Sequence, residues 1–148
     1  MIDITGKETI YREATAYGRI KLRRETIRLI REGKVEKGDP LQVASIAGIL
    51  AAKKTPSLLP MCHPIEITNV NIDCFIEDDE HVGCKAVVKA IARTGVEMEA
   101  LTAVTIALLN IWDMVKKYEK DEKGLYPFTR IESVIVQNKV KKPLNWES

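Results

Sequence analysis

The chain has 148 residues, of which 45% are hydrophobic and 30% charged, with 23 Lys and Arg against 21 Asp and Glu. That length and balance fit one domain with a proper core, and the net charge of +2 offers no argument for nucleic acid or a membrane surface as partner. Three cysteines, Cys62, Cys74 and Cys84, do not make a disulfide framework. The first residues are polar from the start, and no apolar run approaches the ~20 residues of a membrane span, so the expectation is a cytoplasmic protein.

In chain order, residues 7–22 read as extended, through Tyr11 and Arg12 to Ile20. A short helix over 24–32 ends at Gly33 in a left-handed cap. After a charged loop, 34–38, Asp39 caps a helix whose first residue is Pro40. Its sequence, LQVASIAGILAAKK, is small and apolar nearly all round, which predicts burial, and Thr55-Pro56 is expected to stop it. Pro56, Pro60 and Pro64 make the next stretch a rigid irregular loop. Val70, Ile72, Cys74 and Ile76 then alternate as one strand face, and Val82, Cys84, Ala86, Val88, Ala90 and Ala92 as its partner. The turn at 78–81 makes this an antiparallel hairpin. A long helix runs from about Glu97 to Tyr118, a polar loop follows over 119–124, and a last strand covers 130–136. Residues 139–148 form a basic tail, expected to be loosely held. Antiparallel strands with two long helices on one face give an α+β architecture in a single domain, 1–148.

The long helix carries the only charges set within apolar sequence. At ~100° per residue, Glu99, Thr102, Thr105, Asn110, Asp113, Lys116 and Lys117 share an arc of about 140°, opposite Val104, Leu108, Ile111 and Val115. A solvated face is the ordinary reading of such an arc. Its middle, however, offers Thr102, Thr105 and Asn110 rather than Lys and Glu, and Ile106 and Leu109 lie inside it. That pattern suits a face covered by another chain, with chemistry at its ends. Asp113 and Lys116 are i,i+3 neighbours and can touch. Glu99 and Asp113 are ~21 Å apart along the axis, too far to share one small reacting centre within one subunit.

Other candidates are weaker alone. Cys62-His63 lacks the further ligands a zinc site needs, so no metal is expected, and His63 is better suited to donating to a ligand phosphate. Cys74 and Cys84, symmetric about Asp79, can face each other across the hairpin. Two small buried hydrophobes are the expected reading, with a disulfide as the alternative. Lys53 and Lys54 suit a helix C-terminus through the dipole alone, whereas Lys37, in a loop beside Gly38, is freer to reach a phosphate. With 5% aromatics the strands lack the stacking platform of single-stranded RNA readers. From the residues alone, an enzyme and a non-catalytic nucleotide sensor both stay open.

AAKKTPSLLPMCHP (51–64) and RTGVEMEALTAVTIALLNIWDMVK (93–116) closely resemble the signature stretches of the MoaC family, the cyclic pyranopterin monophosphate synthases of molybdenum cofactor biosynthesis. The opening MIDITGKETIYREA, the KGDPLQVASIAGI segment and the element order fit as well. The resemblance implies a ferredoxin-like subunit assembled as a hexamer, a trimer of dimers, with sites between subunits. The implied lyase reaction converts 3′,8-cyclo-7,8-dihydro-GTP into cyclic pyranopterin monophosphate with release of pyrophosphate. No cofactor is implied, with Mg²⁺ beside the triphosphate left open.

Matched by position, Asp113 and Lys116 correspond to the family's catalytic pair, and burial beside a subunit interface is expected to move the lysine pKa toward working pH. Arg12, Lys37 and His63, joined by Lys53, match positions that meet the triphosphate or shape the pocket. Glu97, Met98 and Glu99 match positions near the guanine-derived ring, and Cys62 lines the pocket without reacting. Many members end in Lys-Ser-Gly-Gly-Lys-Ser-Gly with a further active-site lysine. This chain has SVIVQNKVKK there, and Lys139 is the nearest equivalent.

Overall fold

The computed structural model describes residues 1–144, and its elements run β1 (Ile10–Lys21), α1 (Arg24–Arg31), α2 (Pro40–Leu58), β2 (Ile67–Asp78), β3 (His81–Ala92), α3 (Glu97–Glu119) and β4 (Arg130–Lys142). The strands form one antiparallel sheet in the order β2-β3-β1-β4. A β-α-β-β-α-β path with that order is ferredoxin-like, here with α1 added before α2. The expected α+β class and its helix-covered sheet are therefore what the chain adopts.

Small side chains set the distance between the layers. Ala14, Ala16 and Ile20 of β1 and Val82, Cys84, Ala86, Val88 and Ala90 of β3 are at most 1% exposed. They occupy alternate positions on one face of the two central strands, because the side-chain period of a strand is two. On this low floor α3 buries Val104, Leu108, Ile111 and Val115, and each fully buried aliphatic side chain contributes roughly 1.5–3 kcal/mol. Gly18 marks the closest approach: a Cβ there would lie 2.9 Å from Val104 Cγ1 and from Val134 Cγ2. The two long helices meet in the same way, since a Cβ on Gly48 of α2 would stand 3.1 Å from the Ala103 carbonyl oxygen of α3.

Five sequence-based expectations change. Contrary to the expectation that no segment would be, α3 is long and apolar enough to cross a membrane, but half of that stretch is buried inside the fold as its core helix. The Asp39 cap is as expected, with Oδ1 accepting from Leu41 N at 3.0 Å behind Pro40. Yet α2 continues through Pro56 to Leu58. A proline in the last turn removes one donor, while the buried Thr55 hydroxyl donates to Ala51 O at 3.0 Å and Leu59 N–H still reaches Thr55 O at 2.9 Å. Nor is α2 buried all round. Ala44, Gly48, Ala51, Ala52 and Thr55 face inward, while Val43, Ile46 and Leu50 are 40%, 55% and 51% exposed.

The last strand also runs further than its pattern suggests. Lys139, Lys141 and Lys142 pair with Ala14, Arg12 and Tyr11, so this part of the tail is not loose. Residues 133 and 134 of β4 stand against the single residue Gly18 and residue 137 is extra between Thr15 and Ala16, which produces two register breaks, and Ser133 takes φ 59°. Such bulges erase the period-two alternation by which a strand is recognised. The loose-tail expectation for residues 145–148 lies outside the described residues. Glu119, read as the start of a polar loop, is fully buried at the end of α3. Its carboxylate accepts from Thr129 Oγ1 at 2.6 Å, from Thr26 Oγ1 and from the Arg23 backbone N–H at 3.1 Å, which ties α1, α3 and the entry to β4 together.

Gly18→Ala places a methyl group against Val104, Val134 and Leu108, and is expected to cost about 1–3 kcal/mol by overpacking. Urea unfolding of the purified variant, compared with Gly6→Ala, where no atom lies within 4 Å, checks this.

Candidate active site at the two ends of one helix

The N-terminal end of α3 gathers one set of residues. The loop after α2 brings Cys62 and His63 beside Glu97 and Met98, around a cavity of about 510 Å³ that Ile2 and Ile4 also line. Gly95 has no Cβ where the Glu97 carboxylate folds back, and a side chain there would collide with it. The sheet supplies two cations. Arg12 pairs with Ala90 and Lys139 with Ala14, so both project from the helix-covered face at the end of the sheet. Lys139 Nζ lies 2.5 Å from Glu97 Oε1, and Arg12 Nη2 donates to Arg93 O at 3.3 Å. Burial pushes the Glu97 carboxyl up, but the Lys139 hydrogen bond and charge, its own backbone N–H and Arg12 outweigh it and leave the pKa lowered.

Glu99 differs from Glu97. It is 1% exposed, and burial raises its pKa, aided by the charge of Glu97. Cys62 Sγ donates to Glu99 Oε2 at 3.9 Å, whereas Oε1 is buried without a hydrogen-bond partner. The Cys62 thiol is itself pushed up, first by burial and then by Glu99, so it stays protonated and is a poor nucleophile. His63 Nε2 stands 2.7 Å from Ile2 O. A carbonyl only accepts, so the ring donates from Nε2, and in its neutral form leaves Nδ1 as acceptor.

The C-terminal end holds the other set. Lys116 Nζ donates to Asp113 Oδ1 at 2.9 Å, and Lys37 Nζ lies 3.6 Å from Oδ2 while donating to the Asp113 carbonyl at 3.2 Å. The Lys116 hydrogen bond and charge, with Lys37 behind them, hold the Asp113 carboxyl below its ordinary range. The same pair raises the Lys116 pKa in the single chain, where both side chains are about half exposed. Lys37 is steered by its neighbours. Glu36 N–H donates to Tyr118 Oη at 2.9 Å, and the Glu36 carboxylate pairs with Lys117.

These two sets are not brought together within one chain, since about fourteen residues of α3 separate them, ~21 Å at 1.5 Å per residue. Lys53 joins neither. It lies on the exposed side of α2, one wheel step past the buried Ala51 and Ala52, beside a smaller cavity lined by Ile49, Ile65 and Ile67. Sequence reasoning missed the N-terminal segment as a wall of the cavity. Its one local signal is Asp3, whose Oδ1 accepts from Thr5 N at 2.9 Å and from Thr5 Oγ1 at 2.6 Å. Elsewhere, Glu77, Asp78 and His81 cluster within 4.8 Å, but Arg19, Tyr17 and Glu132 already engage them.

A ferredoxin-like domain with a carboxylate–lysine centre at one end of its core helix, and a cavity lined in part by Glu97 at the other, is the class of protein these features define. The chain belongs to the MoaC family, whose model matches residues 1–141. Three similar proteins carry the name probable cyclic pyranopterin monophosphate synthase. The one from Pyrococcus horikoshii is 61% identical over 142 residues, 95% of this chain and 88% of its own length. That from Sulfurisphaera tokodaii is 57% identical over 141 residues, 95% and 93% of the two chains. That from Saccharolobus solfataricus is 55% identical over 142 residues, covering 96% and 95%.

The raised Glu99 pKa has a signed consequence. The folded state holds this proton more tightly than the unfolded chain, so stability falls as pH rises from the unfolded value through the folded one. Glu99→Gln is therefore expected to flatten that part of the profile and to raise the melting temperature at neutral pH relative to the parent. Thermal unfolding of both proteins from pH 4 to pH 8 measures the difference.

Proposed function

We infer that this chain is a lyase of molybdenum cofactor biosynthesis that converts 3′,8-cyclo-7,8-dihydro-GTP into cyclic pyranopterin monophosphate with release of pyrophosphate. The observation that carries the mechanism is Asp113 held between Lys116 and Lys37 on the exposed last turns of α3. Opening the purine five-membered ring and closing the pterin ring both require protons to move. The ionised Asp113 accepts one while the Lys116 ammonium donates another, and their contact lets the pair reset between steps. Positioned acid–base groups of this kind contribute about 10²–10⁴-fold in rate. Lys37, Arg12, His63 and Lys53 provide positive or donor groups for the triphosphate and for pyrophosphate as it departs. Glu97 and Glu99, with Met98 beside them, take the guanine-derived ring, whose N–H edge suits carboxylate acceptors. Cys62 closes that pocket wall, and Lys139 neutralises Glu97 until substrate arrives. A Mg²⁺ that accompanied the triphosphate would supply charge neutralisation for the leaving pyrophosphate, and Asp113, engaged by two ammonium groups, would not be the residue to hold it.

The same reading makes the working unit a cytoplasmic homo-oligomer, a hexamer built as a trimer of dimers. One protomer's Asp113 end then faces another's Glu97 end across a shared cleft. Two facts support it. The chemistry-bearing residues of one chain lie too far apart for one substrate, and Val43, Ile46 and Leu50 of α2, with Leu109 of α3 at 52% exposure, form apolar surface between the two ends. Docking a partner there also desolvates Lys116, which lowers its pKa against the hold of Asp113.

Asp113→Asn and Lys116→Ala are each expected to lower turnover by about 10²–10⁴-fold with folding and assembly unchanged, read as pyrophosphate release from the cyclic GTP-derived substrate. Full activity in either variant removes this mechanism, and tight nucleotide binding by the parent without product marks a sensor instead. Ile46→Glu is expected to reduce the assembly to smaller species in sedimentation velocity and to abolish activity with it. An active Ile46→Glu monomer overturns the shared cleft.

A further inference from the structure

We propose that Cys74 and Cys84 are a covalent modification site, at which a small oxidant of the peroxide class closes the two thiols into a disulfide that ties edge strand β2 to β3. The two residues are directly opposed in the antiparallel register of the hairpin. Opposed residues of antiparallel strands sit about 4.5–5.5 Å apart at Cα, inside the about 4.4–6.8 Å that a disulfide spans. Both side chains point to the helix-covered face, with Cys84 fully buried in the core and Cys74 half-buried against it. Their Sγ atoms are 2.7 Å apart. Closing the bond to about 2.05 Å therefore asks only a short approach of two sulfurs already side by side.

The strand order gives the two sulfurs different parts. Cys74 stands on edge strand β2 and is half-buried, whereas Cys84 lies between strands and is fully buried, so Cys74 is the sulfur a small molecule meets first. The hydrogen bond to Cys74 and then burial push the Cys84 thiol far up, so it stays protonated and is not the sulfur that meets the oxidant first. In the first step Cys74 sulfur attacks a peroxide oxygen and the O–O bond breaks. Two electrons pass to the peroxide, water leaves, and Cys74 becomes a sulfenic acid. In the second step Cys84 sulfur attacks Cys74 sulfur. The S–S bond forms, the S–O bond breaks, and the Cys84 proton leaves with the hydroxide as a second water. Two thiols and one hydrogen peroxide give one disulfide and two waters. Cys62 has Glu99 beside its sulfur and no second thiol within bonding distance among the described residues, so it does not close a ring.

The sequence makes the test direct. Full-length protein is treated with hydrogen peroxide, unfolded in excess iodoacetamide and cut with a glutamate-specific protease. Cleavage at Glu77 and Glu80 puts Cys74 and Cys84 on separate peptides, and cleavage at Glu66 removes Cys62. The expected result is a cross-linked pair joining the Cys74 and Cys84 peptides, split by dithiothreitol. The oxidised protein should also melt roughly 5–10 °C higher than the reduced one, as closure of an eleven-residue loop in a domain of this size implies. A Cys74→Ser variant treated in the same way should show neither change. Alkylation of both thiols after peroxide treatment, a Cys74 that stops at sulfinic acid, or a link that includes Cys62 would overturn the proposal.

Discussion

The close seat of α3 on a floor of alanine and glycine governs the rest of the molecule. Ala14, Ala16, Gly18, Ala86 and Ala90 bring no bulk to the sheet face, so the helix lies almost against the backbone of β1 and β3. A helix held so tightly along its length behaves as a rod. Its ends, and not its middle, then decide where charged groups can stand. Glu97 and Glu99 occupy the first turn, where carboxylates suit the helix dipole, and Lys116 and Lys117 the last, where cations do.

Each end is completed by neighbours of opposite sign. Lys139 and Arg12 reach Glu97 from the sheet, and Lys37 reaches Asp113 from the loop before α2. The consequence for chemistry is that the single chain holds the groups at the C-terminal end of α3 in ordinary charge states. Asp113 is ionised and Lys116 protonated, each stabilising the other's charge. A catalytic lysine needs a drier setting than this surface provides. On the proposed reading the apolar stripe of α2 supplies it, by drawing a second subunit over the exposed turn.

Glu99 is the exception to the wet ends. It is a carboxyl group buried beside Cys62 with one oxygen unpartnered, and its cost falls on stability rather than on folding specificity. Unpaired buried polar atoms are rare in native proteins, and each calls for a reason in strain, chemistry or a bound water or ion. Glu119 is the contrasting case. It is equally buried, but three donors satisfy it, and its role is to join α1, α3 and β4.

Much of this was legible along the chain. The alternation of β2 and β3, the Asp39-Pro40 start of α2, the left-handed Gly33 and the buried stripe of α3 are all local patterns that the tertiary structure had only to accept. The Asp113–Lys116 contact follows from helix geometry alone. What only the tertiary structure decided involves partners distant in sequence. Thr129, Thr26 and Arg23 make Glu119 a buried residue, and two bulges carry β4 to Lys142 and swing Lys139 onto Glu97. Folding also turned one side of α2 outward and laid Ile2 over His63. Periodicity records which face of an element is apolar, because that is set by residues three or four apart. It does not record what stands opposite that face, which depends on chain segments brought together by the fold.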